Sequence, residues 1–201
     1  LRPVTRLRGA CPVRLRGVST VANLPATIAE RQAERARRRL AAAGFPAEIE
    51  VRQVAAPDPG SFLLLTAESD GPLGGFSALG RRGVPAEQVA DEAIDGCLDF
   101  LRSEAGCDPH LADQLVVPMA LAAGTSRLTT SRVTLHLRTV LDIVAQLLGC
   151  PVHLTGEEGA PGALTIEGTG DRGPGAREEG ATRKPEGGMA VSGTSAAPAA
   201  C

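Results

Sequence analysis

The sequence predicts an α/β protein of the mixed α+β kind, with one or two modest domains. A length of 201 residues and a hydrophobic content of 43% are enough for a sizeable buried core. Between residues 19 and 105, segments with strand periodicity alternate with segments of helical periodicity, which indicates a compact α/β unit. From 168 to 201 the chain is Gly, Ala, Pro, Ser and Glu without periodicity, which predicts a disordered tail.

The composition excludes several classes of function. The chain has four Phe, no Trp and no Tyr, so we expect an aliphatic core and no base stacking on aromatic side chains. A formal net charge of -2 argues against a general nucleic-acid coat protein but leaves room for a local basic site. There is no apolar run long enough to cross a bilayer and no signal peptide, so we expect no membrane association.

Cysteine usage indicates a reducing compartment. The five cysteines are odd in number and scattered, without a C-x-x-C pair or a His at zinc-finger spacing. We therefore expect reduced, mostly buried thiols in a cytoplasmic protein. The residues concerned are Cys11, Cys97, Cys107, Cys150 and Cys201.

The N-terminal segment has the pattern of strands followed by a helix. Residues 1–18 alternate apolar and basic side chains around a breaker run, which predicts a hairpin-like strand pair. The chain starts at Leu1, inside this pattern and without an initiator Met, so we expect a fragment whose first strands need an earlier partner. Pro25 and Gly44 bracket a predicted helix that ends at about Ala43. Its predicted buried stripe contains Ile28, Ala29, Ala33, Ala36 and Leu40.

Four arginines crowd the last turns of this helix, where cations suit the helix dipole: Arg35, Arg37, Arg38 and Arg39. A solvated basic face is the favoured interpretation. Contact with an RNA backbone is the alternative.

The middle of the chain predicts three strands and a helix. Strict alternation over 47–52 predicts a half-buried strand, and the continuous apolar run 61–66 predicts a central one. The Gly-rich residues 71–75 are interpreted as a flexible turn, followed by a short strand over 76–79. Helical periodicity then runs over 85–103.

The C-terminal part predicts two more helices with strands between and after them. Asp108 is predicted to cap a helix that Pro118 bends near its end. The apolar face of that helix carries Leu111, Leu115, Val116 and Met119. The remaining predicted elements are a strand over 127–130, a helix over 133–148 and strands near 151–155 and 163–167.

His136 is the first candidate for chemistry. It lies one turn from both Val133 and Val140, so we expect it to border the apolar face of its helix instead of pointing to open water. On periodicity alone, a packed and hydrogen-bonded histidine is the commoner case. The apolar face is predicted to comprise Val133, Leu137, Val140, Leu141, Val144, Leu147 and Leu148.

A neighbouring helix offers a partner for this imidazole. Asp113 and Gln114 lie together on the helix that Asp108 caps. A carboxylate beside an imidazole fixes its tautomer and makes it a better nucleophile or base. Spacing alone leaves open whether Asp113 and His136 meet. The two common nucleotide-binding fingerprints, G-x-x-x-x-G-K-[ST] and a helix-opening G-x-G-x-x-G, do not occur.

Four segments together resemble the RNA 3'-terminal phosphate cyclase family, in order and from about residue 1 to 167. They are "GVSTVANLPATIAERQ" (17–32), "GGFSALGRRGVPAEQVA" (74–90), "HLADQLVVPMALAAG" (110–124) and "RLTTSRVTLHLRTV" (127–140). In that family a catalytic domain of repeated βαβαββ units carries a smaller α/β domain inserted into the last repeat.

The resemblance implies a domain organisation. Residues 19–105 correspond to the insert domain, whereas 1–18 and 106–167 correspond to the last part of the catalytic domain. The earlier repeats are missing from this chain, and the tail 168–201 lies outside the resemblance. In the family the missing part supplies basic residues for the RNA phosphate and an acidic residue near the metal.

The resemblance also implies an enzymatic activity. The family consists of ATP-dependent ligases of RNA processing or repair, which convert an RNA 3'-terminal phosphate to a 2',3'-cyclic phosphate. His136 stands where the nucleophile belongs, so its Nε2 is expected to attack the α-phosphorus of ATP and form a histidine-AMP phosphoramidate. The AMP then passes to the RNA 3'-phosphate, and attack by the vicinal 2'-hydroxyl releases it. Mg²⁺ or Mn²⁺ is expected to offset the triphosphate charge.

The segment that matches the family's ATP-binding motif consists of His110, Leu111, Ala112, Asp113 and Gln114. By resemblance, His110 would lie against the adenine. Asp113 would position His136 or the metal-bound phosphates.

Two alternatives to the enzyme come with the same resemblance. Non-enzymatic relatives bind pre-ribosomal RNA during ribosome assembly and lack the catalytic histidine, so the presence of His136 favours the enzyme. An inert truncated product is the other alternative. The chain also departs from the family near His136: relatives often read His-Leu-Leu-Thr-Asn where Arg138 and Val140 occur here, which changes the local packing or polar contacts.

Overall fold

The computed structural model describes residues 1–7, 13–69, 73–103 and 105–170. Within these ranges the chain forms four α-helices and two four-stranded sheets, so the predicted mixed α/β class is confirmed. The strands are β1 Thr5–Arg6, β2 Arg14–Ala22, β3 Ala47–Val54, β4 Gly60–Glu68, β5 Leu73–Leu79, β6 Ala123–Thr130, β7 Val152–Thr155 and β8 Gly162–Thr169. The helices are α1 Ala26–Ala42, α2 Ala86–Ser103, α3 Pro109–Ala120 and α4 Leu135–Leu148.

The first sheet has the strand order β3-β2-β4-β5. β2 runs parallel to β3 and antiparallel to β4, and β5 forms an antiparallel edge beside β4. Alternate residues of β4 are buried, because α1 and α2 pack against the sheet through one continuous core. The central place predicted for 61–66 is therefore confirmed. The largest buried side chains of this core are Leu40, Leu63, Leu65, Ile94 and Phe100.

The second sheet has the strand order β1-β6-β8-β7. β1 is parallel to β6, whereas β6 with β8 and β8 with β7 are antiparallel. The helices α3 and α4 share a second core with β6 and β8. Its largest buried side chains are Met119, Leu128, Leu137, Leu164 and Ile166.

The predicted hairpin within residues 1–18 is wrong. β1 pairs with β6 of the second sheet, whereas β2 joins the first sheet beside β3 and β4. Alternation within a strand carries no information about the partner strand. The breaker run at 8–12 lies outside the described residues. The chain leaves the second sheet after β1 and returns to it at Gly106. These two crossings lie side by side, because a Cβ added to Gly106 would collide with the backbone of Arg6 and Leu7.

The glycines predicted as a turn at 71–75 are partly strand. Gly74 and Gly75 belong to β5, whereas 71 and 72 lie outside the described residues. A Cβ added to Gly74 would lie 2.9 Å from the Phe76 ring and 3.2 Å from the Phe100 ring. The glycine is therefore explained by close packing inside a strand, and its φ is not in the left-handed region.

The last strand is longer than predicted. β8 continues through Gly168 and Thr169, both of which composition had assigned to the tail 168–201. A Cβ at Gly168 would collide with the carbonyl oxygens of Met119 and Ala122, so a glycine allows this close approach. Residues 171–201 lie outside the described residues, and the predicted disorder of the tail stays a prediction there.

No helix among the described residues is long and apolar enough to span a membrane.

Candidate active site

His136 occupies the second position of α4. Thr134 caps this helix, since its Oγ1 accepts a hydrogen bond of 3.0 Å from the N–H of Leu137. The helix begins at Leu135, two residues later than predicted, and its buried stripe starts at Leu137. His136 is one residue before that stripe and so about 100° away from it around the helix axis.

The prediction that His136 borders the apolar face is wrong, because its side chain is 69% exposed. Three predicted members of that face differ as well: Leu147 is 78% exposed, Leu148 is 37% exposed, and Val133 is buried outside the helix. Val133 instead forms a β-bridge with Glu158. Assigning Val133 to the helix in the sequence pattern turned the predicted stripe toward His136.

The structure brings His136 and Asp113 together. His136 Nε2 lies 3.6 Å from Asp113 Oδ2, which is longer than a hydrogen bond and close enough for an ion pair with a protonated ring. The Asp113 side chain is only 11% exposed. A nearly buried carboxylate on α3 therefore stands beside an accessible imidazole on α4.

Packing fixes which way each residue of the α3 motif faces. Ala112 is fully buried together with Val116 and Met119, four and seven residues further along. His110 and Gln114 are exposed as a consequence, and Asp113 is turned toward α4.

A cleft of about 520 Å³ separates the first sheet from the start of α3. Three of the five predicted motif residues, His110, Leu111 and Gln114, line it, whereas Ala112, Asp113 and His136 do not. The opposite wall comes from the end of β4 and the start of β5. The lining residues are Thr66, Ala67, Glu68, Gly74, Gly75, Asp108, His110, Leu111 and Gln114.

The contribution of β4 and β5 was missed by sequence reasoning. These strands are more than 30 residues away from α3 in the chain, and no local pattern reports such a contact. The signal that could have found it is the Gly74-Gly75 pair, since glycine inside a strand often marks a close approach of another group.

Asp108 forms the floor of the cleft and is only 4% exposed. The predicted cap is confirmed: Oδ1 accepts hydrogen bonds from the N–H of His110 at 2.8 Å and of Leu111 at 2.9 Å. Its second oxygen, Oδ2, accepts one from the N–H of Gly75 at 3.1 Å. The same carboxylate therefore caps α3 and contacts β5.

Arg138, one of the two residues that differ from the family motif, contacts the loop after β7. Its Nη2 donates a hydrogen bond of 2.9 Å to the carbonyl oxygen of Gly156. Its Nε is buried without a hydrogen-bond partner. The departure thus changes the contact between α4 and the loop after β7.

The arginine cluster on α1 faces carboxylates of α2. Arg35 donates two hydrogen bonds to Asp91, at 2.8 and 2.9 Å, and Arg39 contacts both Asp91 and Asp95 at 2.8 Å. The hydrogen bond from Arg35, joined by that from Arg39, lowers the pKa of Asp91 below its ordinary value. Arg38 has a weaker contact, 3.9 Å from Glu34. Because Arg35 and Arg39 are already paired, the structure does not favour RNA contact by these two residues.

The buried thiols are poor candidates for nucleophiles. Burial raises the pKa of Cys97 and of Cys107 to about 12, so both are protonated at neutral pH. Cys11 and Cys201 lie outside the described residues. In the part of the chain that the structure describes, no cluster of three or more His, Cys, Asp or Glu side chains could hold a metal ion.

The amino-acid sequence of the chain is similar to one family model and to several known proteins. Residues 11–102 match the family model described as RNA 3'-terminal phosphate cyclase (RTC), insert domain. A protein of Pyrobaculum neutrophilum named RNA 3'-terminal phosphate cyclase is 45% identical over 175 residues, which is 85% of this chain and 49% of that protein. Proteins with the same name are 42% identical in Pyrobaculum aerophilum, over 79% of this chain and 46% of that protein, and 50% identical in Methylococcus capsulatus, over 61% and 34%.

The chain thus spans about half the length of the first two of these relatives. The match includes the first sheet with α1 and α2, and the identity extends over most of the chain. The chain belongs to the RNA 3'-terminal phosphate cyclase family and includes its insert domain.

Proposed function

We propose that the protein acts in the ATP-dependent conversion of an RNA 3'-terminal phosphate to a 2',3'-cyclic phosphate, with His136 as the AMP-carrying nucleophile. The observation that carries the proposal is an exposed imidazole held 3.6 Å from a nearly buried carboxylate, Asp113. A nucleophile must be reachable by its substrate, and a neighbouring carboxylate orients the ring and stabilises the charge that forms on it. The names of the relatives support the reaction class.

The first step is an attack by His136 Nε2 on the α-phosphorus of ATP. The nitrogen lone pair forms the N–P bond while the bond from phosphorus to the pyrophosphate oxygen breaks, and pyrophosphate leaves with that electron pair. In the resting structure Nε2 is the nitrogen beside Asp113. Attack therefore requires a rotation of the ring that brings Nδ1 beside Asp113 and turns Nε2 toward the nucleotide, which its 69% exposure allows.

The two later steps transfer the AMP and close the ring. An oxygen of the RNA 3'-phosphate attacks the phosphorus of the histidine-bound AMP, and the N–P bond breaks to return neutral His136. The vicinal 2'-hydroxyl then attacks the activated 3'-phosphorus, loses its proton and expels AMP. Neutral imidazole is both a nucleophile and a good leaving group from phosphorus, whereas an alkoxide would be far harder to expel.

The cleft suits the base of the nucleotide better than the triphosphate. Two carboxylates, Glu68 and Asp108, line it, and they would repel phosphate. Asp108 also occupies the first N–H groups of α3, which would otherwise attract an anion. We therefore place the adenine against His110, with the phosphates directed toward His136.

A divalent cation, Mg²⁺ or Mn²⁺, would arrive on the triphosphate and neutralise part of its charge. Asp113, the carboxylate nearest to His136, is the residue of this chain that could contact such a cation. The proposed macromolecular partner is an RNA with a 3'-terminal phosphate. The buried thiols Cys97 and Cys107 fit the proposed cytoplasmic location.

Transfer of label from ATP tests this function directly. The chain is incubated with ATP labelled at the α-phosphorus and Mg²⁺ or Mn²⁺. One sample contains the chain alone, and a second also contains the part of a related cyclase that has no counterpart in this chain. We expect acid-labile label on the polypeptide, lost in His136→Ala. His153→Ala is the matched control, because His153 is exposed on β7 outside the site and its loss should leave the label in place.

The outcomes separate the alternatives. Label that persists in His136→Ala refutes the assigned nucleophile. Label that needs the added portion of a relative identifies a chain that supplies only part of the active site. RNA binding without label under either condition favours the non-enzymatic relatives, and the absence of both favours an inert fragment.

A further inference from the structure

The cleft is built by two separate parts of the fold, and the side chain of Asp108 contacts both. β5 is the edge strand of the first sheet, so the N–H groups on its outer side have no strand partner. The N–H of Gly75 is directed away from β4, toward Asp108 Oδ2 at 3.1 Å. The other oxygen of Asp108 accepts both free N–H groups of the first turn of α3.

We propose that Asp108 is a positioning residue that ties the first sheet to α3 and so sets the width of the nucleotide cleft. The inference rests on the proposed function, since the cleft is taken to hold the adenine of ATP. Asp108 precedes the motif residues 110–114 in the chain. Its side-chain hydrogen bonds go to backbone N–H groups and not to a proposed reacting atom. It acts through His110 and Leu111, whose backbone it holds.

The burial of Asp108 makes this tie strong. The carboxylate is 4% exposed, and its three hydrogen bonds come from backbone N–H groups that cannot rotate away. Removing one acceptor oxygen leaves the N–H of Gly75 without its charged partner, and a hydrogen bond to a charged group is the costly kind to lose. A substitution in β5 that removes the contact with Asp108 should therefore alter the position of His110.

Two substitutions cut the same contact from opposite sides. In Asp108→Asn the remaining oxygen caps α3, since Asn is a good N-cap, but the amide NH2 then faces the N–H of Gly75. Gly75→Pro removes the donor itself, and an outward-facing position on an edge strand tolerates proline. Ser77→Pro is the matched control: it places a proline on the same exposed edge strand, two residues from Gly75 and outside the cleft lining, and it retains the N–H of Gly75.

The experiment measures the ATP affinity of the full chain in the presence of Mg²⁺, with circular dichroism to verify folding of each variant. We expect Asp108→Asn and Gly75→Pro each to raise the Kd for ATP roughly tenfold, which is the effect of losing one charged hydrogen bond. The double variant should be no weaker than either single one, because both remove the same contact. Ser77→Pro should bind like the unmutated chain.

A merely structural cap gives a different result. If Gly75→Pro binds ATP normally, or if the double variant shows the sum of the two effects, Asp108 does not act through β5 and the proposal is overturned. Should the unmutated chain bind no ATP, the proposed function is refuted at its first step and the positioning role falls with it. A chain that binds ATP but ignores Gly75→Pro refutes the positioning role alone.

Discussion

The two helical layers of this protein treat charge in opposite ways. Between α1 and α2, Arg35 and Arg39 are neutralised by Asp91 and Asp95 at hydrogen-bond distance. Between α3 and α4, the imidazole of His136 stays exposed and 3.6 Å from Asp113, without a hydrogen bond. Charges that are fully paired stabilise a scaffold, whereas an accessible and incompletely paired group is available for chemistry. The paired charges of the first layer thus contribute to stability, whereas the second layer carries the proposed nucleophile.

The largest expected effect comes from the core of the first layer. Phe100 is fully buried, and its ring centroid lies 5.5 Å from that of Phe76. Phe100→Ala should lower the free energy of unfolding by about 3–5 kcal/mol, because it removes aromatic packing and leaves a cavity. Urea denaturation measures this. Leu79→Ala is the control, since Leu79 is 66% exposed and its truncation should change little. Equal losses in the two variants would contradict the assigned core.

Asp113 is the sharpest test of the second layer. Asp113→Asn keeps the shape of the side chain but removes the charge beside His136, so histidine adenylylation should slow by roughly 100-fold. Label transfer from ATP measures the rate. Asp142→Asn, on the exposed side of α4, is the matched control and should keep the unmutated rate. If Asp113→Asn changes the unfolding free energy but not the adenylylation rate, Asp113 serves stability, and the second layer does not differ from the first in its use of charge.

A buried polar chain offers a test of intermediate size in the first layer. Gln32 is fully buried, accepts a hydrogen bond of 2.9 Å from Ser19 and donates one of 3.2 Å to Ser61. Gln32→Met leaves both hydroxyls without this partner and should cost about 1–3 kcal/mol of unfolding free energy. Thermal unfolding compares Gln32→Met with Gln53→Met, which changes an exposed side chain of β3 and should leave the unfolding free energy unchanged. A neutral Gln32→Met would mean that the two serines find other partners.

The smallest expected effect concerns the ion pairs, and it depends on pH. Arg35 and Arg39 lower the pKa of Asp91 in the folded chain, so the unfolded chain binds the proton more readily. The pairs therefore stabilise the fold above the ordinary aspartate pKa of about 3.9, and this is lost as pH falls through the lowered folded value. At neutral pH, Asp91→Asn should cost about 0.5 kcal/mol, because the pairs are partly exposed.

Denaturation of Asp91→Asn at neutral pH and near pH 3 measures this dependence, and the difference from the unmutated chain should shrink in acid. Asp58→Asn in the exposed loop before β4 is the matched control, because it removes a carboxylate that lies outside the ion pairs between α1 and α2. A difference that grows in acid would reverse the sign argued here.

Local patterns predicted the helices of the first layer well and the exposure of His136 in the second layer poorly. Long apolar stripes with Pro and Gly at their ends located α1 and α2, because such signals are read within one segment. The exposure of His136 was predicted wrongly, because Val133 was counted as part of the helix and extended the predicted apolar stripe toward His136.

Contacts between distant segments could not be predicted from periodicity. The meeting of His136 with Asp113 and of Asp108 with Gly75 depends on how helices and strands dock, which no spacing within one element reports. The resemblance to a family supplied the names of the site residues. It supplied neither the wall formed by β4 and β5 nor the second hydrogen bond of Asp108.

The close contact of Gly106 with Arg6 and Leu7 has a consequence for protein engineering. The chain leaves the second sheet after β1 and returns beside it, where Cys107 forms a bridge with Thr130 at the end of β6. Because the chain leaves and re-enters the second sheet at neighbouring positions, the segment between them, which contains the first sheet with α1 and α2, could be exchanged as one module. A short loop could replace it without moving β6, and the tie from Asp108 to Gly75 would be the hydrogen bond given up in the exchange.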